Sequence, residues 1–179
     1  MQKSTSRPLA AGLTVMGALL RVIPHPMNFA PVGSVSLFGG ARLRGWQAYL
    51  LPLVLMAVTD PLVGGYSSAT PWVYASFMIN VWIGRRLLQN TESPLRIGGA
   101  ATLGSLQFFL ITNFAVWLNS TTLYPQTLSG LATCYTMAIP FYGRTLMSDL
   151  LYTAVFFTAH AWLSRTVVTS ERVIVAQPA

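Results

Sequence analysis

Ile97-Gly-Gly-Ala-Ala-Thr-Leu-Gly-Ser-Leu-Gln-Phe-Phe-Leu-Ile-Thr-Asn-Phe-Ala-Val-Trp-Leu118 runs for 22 residues without a charged side chain. A helix of roughly 17–25 apolar residues crosses the hydrocarbon core of a bilayer. Working outward, similar runs fill most of the chain: Pro8–Ile23, Asn28–Leu43, Trp46–Val63, Pro71–Leu88 and Thr145–Ser164. Over the 179 residues only 8% are charged and 53% are hydrophobic, with a mean hydropathy of +0.54. Soluble domains carry about 25% charged residues, so this chain lacks the groups to cover a watery surface. The expected fold class is therefore all-α integral membrane, a six-helix transmembrane bundle in one domain spanning residues 1–179.

Lys3 and Arg7 before Leu9–Leu20 resemble the start of a signal peptide. No small-x-small cleavage site follows closely, and the run leads into Arg21, Pro24, His25 and Pro26, so it reads as a retained first helix. Between the fifth and last spans lie a polar loop, Asn119–Thr127, and a short apolar stretch, Leu128–Phe141, interrupted by Pro140. Counting charges suggests that this stretch folds back as a short re-entrant or interfacial helix. On that topology Lys3, Arg7, Arg42, Arg44, Arg85, Arg86, Arg96, Arg165 and Arg172 face the cytoplasm, and only Arg21 and Arg144 lie near the outside. A seventh crossing would move Arg165 and Arg172 outward, against the positive-inside rule. The expected location is the bacterial cytoplasmic (inner) membrane, multi-pass, with both termini and the tail 165–179 cytoplasmic.

The net charge of +7 does not indicate nucleic acid, because the eleven basic residues are scattered singly and in pairs. Nucleic-acid binders gather them into a patch. The single cysteine, Cys134, excludes an intrachain disulfide and a multi-cysteine metal site. No H-E-x-x-H, G-x-S-x-G or P-loop pattern occurs, so neither an enzyme nor a self-powered ATPase is expected, and no cofactor or metal is assigned.

Polar residues within the apolar runs cost at least about 2.5 kcal/mol per charge at bilayer depth and so should face inward and pair. Arg21, Asp60, Asn113, Arg144 and Asp149 fall at one level near the outer end, with His25 and Asn28 on the first outer turn and Trp117 nearby. Together these eight are the candidate substrate-binding residues. Each arginine has an aspartate within reach, although the pairs are not assignable from sequence. The competing reading makes them helix caps and interfacial anchors. His25 on its Pro-His-Pro turn is weak support for a metal-centred ligand. His160 and Asn80 read as interhelical hydrogen-bonding residues, Cys134 as packing, and Arg85-Arg86 as a cytoplasmic anchor. Ala10, Thr14 and Ala18 form a small-residue ridge at i, i+4, i+8, suited either to packing within the bundle or to docking a partner.

Several stretches carry a resemblance: Arg21-Val-Ile-Pro-His-Pro-Met-Asn-Phe-Ala-Pro-Val-Gly33, Leu37-Phe-Gly-Gly-Ala41, Thr59-Asp-Pro61, Thr112-Asn-Phe-Ala-Val-Trp117, Gly130-Leu-Ala-Thr-Cys-Tyr135 and Asp149-Leu-Leu-Tyr152. They resemble a bacterial family of small membrane proteins described as transport proteins, over residues 17–158. That family is similar in turn to the substrate-binding S components of energy-coupling-factor (ECF) vitamin transporters. The resemblance implies six helices, cytoplasmic termini and an outward-facing pocket for a vitamin-like small molecule. It also implies a first-helix ridge, here Ala10-Thr14-Ala18 with threonine as a departure, docking a coupling membrane subunit served by ATPases. It carries over no ligand. A corrinoid is one conceivable substrate, since His25 or Cys134 would approach its metal centre. The rival readings are an accessory subunit of a larger membrane complex with no ligand of its own, and, more weakly, a membrane enzyme acting on lipid.

Overall fold

The computed structural model describes the backbone of residues 6–175 and the side chains of residues 8–166. Lys3, the side chains of Arg7 and Arg172, and residues 176–179 of the expected tail lie outside the described residues. Within them the chain is all α, with six helices and no strand. These are α1 (Ser6–Leu20), α2 (Val32–Arg42), α3 (Gln47–Val63), α4 (Thr70–Leu87), α5 (Pro94–Asn119) and α6 (Leu128–Val175).

Helix α2 organises the packing. Every residue from Val32 to Ala41 is buried, and α2 touches all five other helices. Its composition (Val-Gly-Ser-Val-Ser-Leu-Phe-Gly-Gly-Ala) explains why. With few bulky side chains, neighbouring backbones come close from every side. A Cβ at Gly40 would overlap the main-chain carbonyl of Val81 on α4, and one at Gly84 of α4 would overlap the carbonyl of Leu37 on α2. Glycine is required on both sides of this crossing. The one large side chain at its centre, Phe38, is fully buried and packs edge-on to Phe157 and His160, with Phe156 tilted at 5.8 Å.

The second helix begins at Val32, not at Asn28. Asn28 has φ +61°, and Pro31, which has no N–H to donate, occupies the N-cap. At 11 residues α2 is about 16 Å long, about half the hydrocarbon thickness. By length and composition, one helix among the described residues, α5, is long and apolar enough to cross a membrane. Helices α1 and α3 contain shorter apolar stretches, Pro8–Leu20 and Gln47–Val63.

The expected fold-back at 128–141 is corrected. Leu128–Val175 is one helix of 48 residues that runs through Pro140, and it also takes in most of the expected tail. An internal proline removes an i→i−4 bond and costs about 3 kcal/mol. Here α5 supports both flanks of the proline. The Tyr135 hydroxyl donates to Leu110 O, Cys134 Sγ donates to Asn113 O, and Phe109 packs against Tyr135 before the proline and Tyr142 after it.

The ridge Ala10-Thr14-Ala18 is interior. Ala10 and Thr14 are fully buried, and the Thr14 hydroxyl donates to Ala10 O. Met16 and Leu19 form the exposed side of α1 instead. The ridge therefore packs within the bundle and presents no face to a docking partner.

Gly40→Ala and Gly84→Ala should each lower stability by about 1–3 kcal/mol or more, because the added methyl meets backbone that cannot rotate away. Gly98→Ala, where a Cβ meets nothing within 4 Å, should be neutral or stabilising by up to about 1 kcal/mol. Unfolding of the three variants in detergent checks the contrast; equal effects at all three positions would contradict the close crossing.

Candidate binding site

Five helices arranged around a short central one leave a hollow at the end where α2 begins. Its volume is about 390 Å³. Arg21 follows α1, and His25, Asn28 and Ala30 come from the α1–α2 loop. Val32 and Gly33 open α2, and Val63 ends α3. Val73 and Phe77 on α4, Phe108 on α5, and Thr145 and Asp149 on α6 complete the lining. A second hollow of about 300 Å³ shares Asn28, Phe108 and Thr145 with the first and adds Asn113 and Tyr142. Small-molecule sites typically occupy about 300–1,000 Å³ and are mostly apolar with a few placed polar groups.

Two polar constructions flank the cavity at the start of α2. In the first, the Arg21 guanidinium lies 2.5 Å from Asp60 Oδ1 and donates to Thr59 Oγ1, while the Tyr74 hydroxyl donates to Asp60 Oδ2. The pair is well shielded, with side chains 18% and 6% exposed. It joins the end of α1 to α3 and α4. Asp60 does not line the cavity; it backs the wall by holding Arg21 in place.

In the second, Asp149 lies against the start of α2 at 5% exposure. Its carboxylate accepts from the Ser105 hydroxyl of α5. It lies against Gly33 in the first turn of α2, so a carboxylate from another helix faces the positive end of α2. Gly33 makes the approach possible, since a Cβ there would overlap the Asp149 carboxylate. Ser34 Oγ donates to Asp149 O, Thr153 Oγ1 to Ser34 Oγ, and Ser148 Oγ to Ala30 O, so α6 is bonded along the whole entry of α2.

The structure brings Arg21, His25, Asn28 and Asp149 to one cavity and places Asn113 in the adjoining hollow. His25 is exposed, its Nδ1 3.1 Å from Pro26 O. Trp117 lines neither hollow; its indole N–H donates to Pro125 O and pins the α5–α6 loop. Arg144 is corrected. It is exposed, lines neither hollow and forms no ion pair among the described residues, because five residues along a helix place it about 140° from the inward-facing Asp149. In place of an Arg144–aspartate pair, Asp149 takes the Ser105 hydroxyl and Asp60 takes Arg21 and the Tyr74 hydroxyl. Cys134 is 2% exposed and faces Asn113 O, so it does not reach the cavity. Among the described residues no three His, Cys, Asp or Glu side chains group to hold a metal.

Sequence reasoning passed over Gly33, Phe77, Phe108, Tyr74 and Ser105. Gly33 and Tyr74 carried no signal, since both depend on which helix lies opposite. Ser105, one residue after Gly104 in an otherwise apolar run, was the readable one.

Removing one partner of a shielded ion pair leaves an uncompensated charge and costs about 3–5 kcal/mol. Arg21→Met and Asp60→Leu should each destabilise the protein by that order, and the double variant should regain most of the loss. Additive losses in detergent unfolding would show that the pair is not coupled.

No curated protein and no solved structure matches the chain. Residues 2–172 match the family of unknown function DUF6580, and the chain belongs to that family.

Proposed function

We propose that the protein is a multi-pass membrane protein that binds a small molecule in the cavity at the start of α2 and serves its uptake. The observation that carries this reading is the convergence of residues from five helices and the α1–α2 loop on one hollow of about 390 Å³, floored by a buried carboxylate. A bundle with no ligand of its own has no need to leave such a space, since interiors pack to crystal-like density.

Three features support the membrane setting. Helix α5 has only 22% of its apolar window buried, unlike the core helix of a soluble protein. Leu103, Leu106, Leu110, Val54, Val58 and Leu62 are exposed, far more apolar surface than isolated residues on a wet exterior. Arginines also gather at the end opposite the cavity. Arg42 donates to Leu88 O and Thr91 O, Arg85 to Gly45 O, and Arg165 pairs with Glu92. By the positive-inside rule that end faces the cytoplasm and the cavity faces outward.

The likeness to S components of ECF transporters is proposed in this limited form: an outward-facing binding bundle without the docking ridge, which is interior here. A vitamin-sized molecule suits the volume. A corrinoid does not, because Cys134 points elsewhere and a macrocycle exceeds the hollow.

Val73→Phe, which adds bulk to the cavity wall, should abolish retention of any small molecule that copurifies in mild detergent and reduce uptake by cells at least about tenfold. Leu103→Phe, on the exposed face of α5, should leave both unchanged. Native mass spectrometry of the purified protein reads the first. Absence of a retained molecule in the unsubstituted protein, together with unchanged uptake in Val73→Phe cells, would overturn the proposal.

A further inference from the structure

Charge in the cavity does not balance. Three titratable side chains line it: Arg21, His25 and Asp149. Arg21 is neutralised by Asp60, which lies behind the wall. His25 is exposed at the mouth with its ring nitrogen against Pro26 O. Asp149 is left at the floor without a cationic side chain at ion-pair distance among the described residues. The Ser105 hydroxyl donates to it, and it lies against Gly33 at the start of α2. A helix N-terminus supplies about half a positive charge, so the donors hold the carboxylate in place while about half a negative charge stays uncompensated. A carboxylate has about four acceptor positions, more than these donors fill.

The rest of the lining determines what kind of cation fits. Phe77 and Phe108 stack with ring centroids 5.0 Å apart and form one wall, continued by Val73, Val32 and Val63. A hydrated metal ion gains nothing from that wall, whereas an organic ammonium is attracted both to ring faces and to the carboxylate. We propose that the cavity takes a small organic cation, its ammonium group seated at Asp149 and its apolar body against Phe77 and Phe108. This deepens the binding reading given above and rests on it.

The test uses three probes of one shape and different charge: benzylamine, benzyl alcohol and benzoate. They are titrated at neutral pH into the purified full-length protein in nanodiscs by calorimetry or ligand-induced thermal stabilisation. Benzylamine should bind at least about tenfold tighter than benzyl alcohol, a difference of about 1.4 kcal/mol, and benzoate most weakly. In Asp149→Asn the preference for the amine over the alcohol should vanish while the alcohol still binds. Should that variant fail to fold, the ranking of the three probes on the unsubstituted protein decides the matter alone. Alcohol or benzoate binding as tightly as the amine would overturn the cation assignment and leave the cavity a binding site. Failure of all three to bind would overturn both readings.

Discussion

The close approach of α2 to α4 is the constraint on which the rest of the bundle depends. Glycine at 40 and 84 lets two backbones meet, and that contact holds a short helix where no side of it reaches the exterior. A helix enclosed in this way must be made of small residues and must have its ends satisfied by neighbours, since water does not reach them. Small residues run the length of α2, the Ser34 and Ser148 hydroxyls tie its entry to α6, and Leu43 N–H closes its other end on Gly39 O. The hollow lies over the start of α2, where this short helix stops and the longer ones continue.

Asp149 therefore has two duties that a sequence reader would separate. It faces the positive end of α2, as the cap reading of an aspartate in an apolar run expects, and it also floors the cavity. That helix end lies more than a hundred residues earlier in the chain. Arg21 and Asp60 divide differently: one faces the hollow, while the other holds it from behind, with Tyr74 completing the set. Both polar groupings reach the hollow, one through Arg21 and the other through Asp149, and only the first carries its own counter-charge.

How much of this was legible follows from what periodicity encodes. Helix positions were readable because Gly, Pro and charged residues punctuate the apolar runs; Gly64 and Asn90, for example, lie in left-handed or extended-positive backbone just past helix ends. Orientation was not. In a soluble helix the apolar stripe points to the core. When both surroundings are apolar, spacing reveals which residues share a face but not which way it turns. Arg144 was misplaced for that reason and turns outward, and the Ala10 ridge, left open between bundle packing and docking, turns in. Pro140 failed for another. Its local preference is to break a helix, and the support that overrides it, Phe109 with Tyr135 and Tyr142, comes from a different helix. Arg21, His25, Asn28 and Asp149 were found together because a polar residue in or beside a long apolar run is conspicuous by cost alone.

The missing side chain at Gly33 has a consequence for how such a cavity diversifies. The carboxylate occupies the volume where any other residue would put its first carbon, so that position cannot drift without turning the Asp149 side chain out of its seat beside Ser105. Opposite it, Val73, Phe77 and Phe108 touch the hollow through side chains of ordinary shape and can be exchanged one at a time. Relatives with altered ligand preference would then keep an unchanging floor and vary along one wall, as a lock with a fixed keyway is re-pinned from a single side.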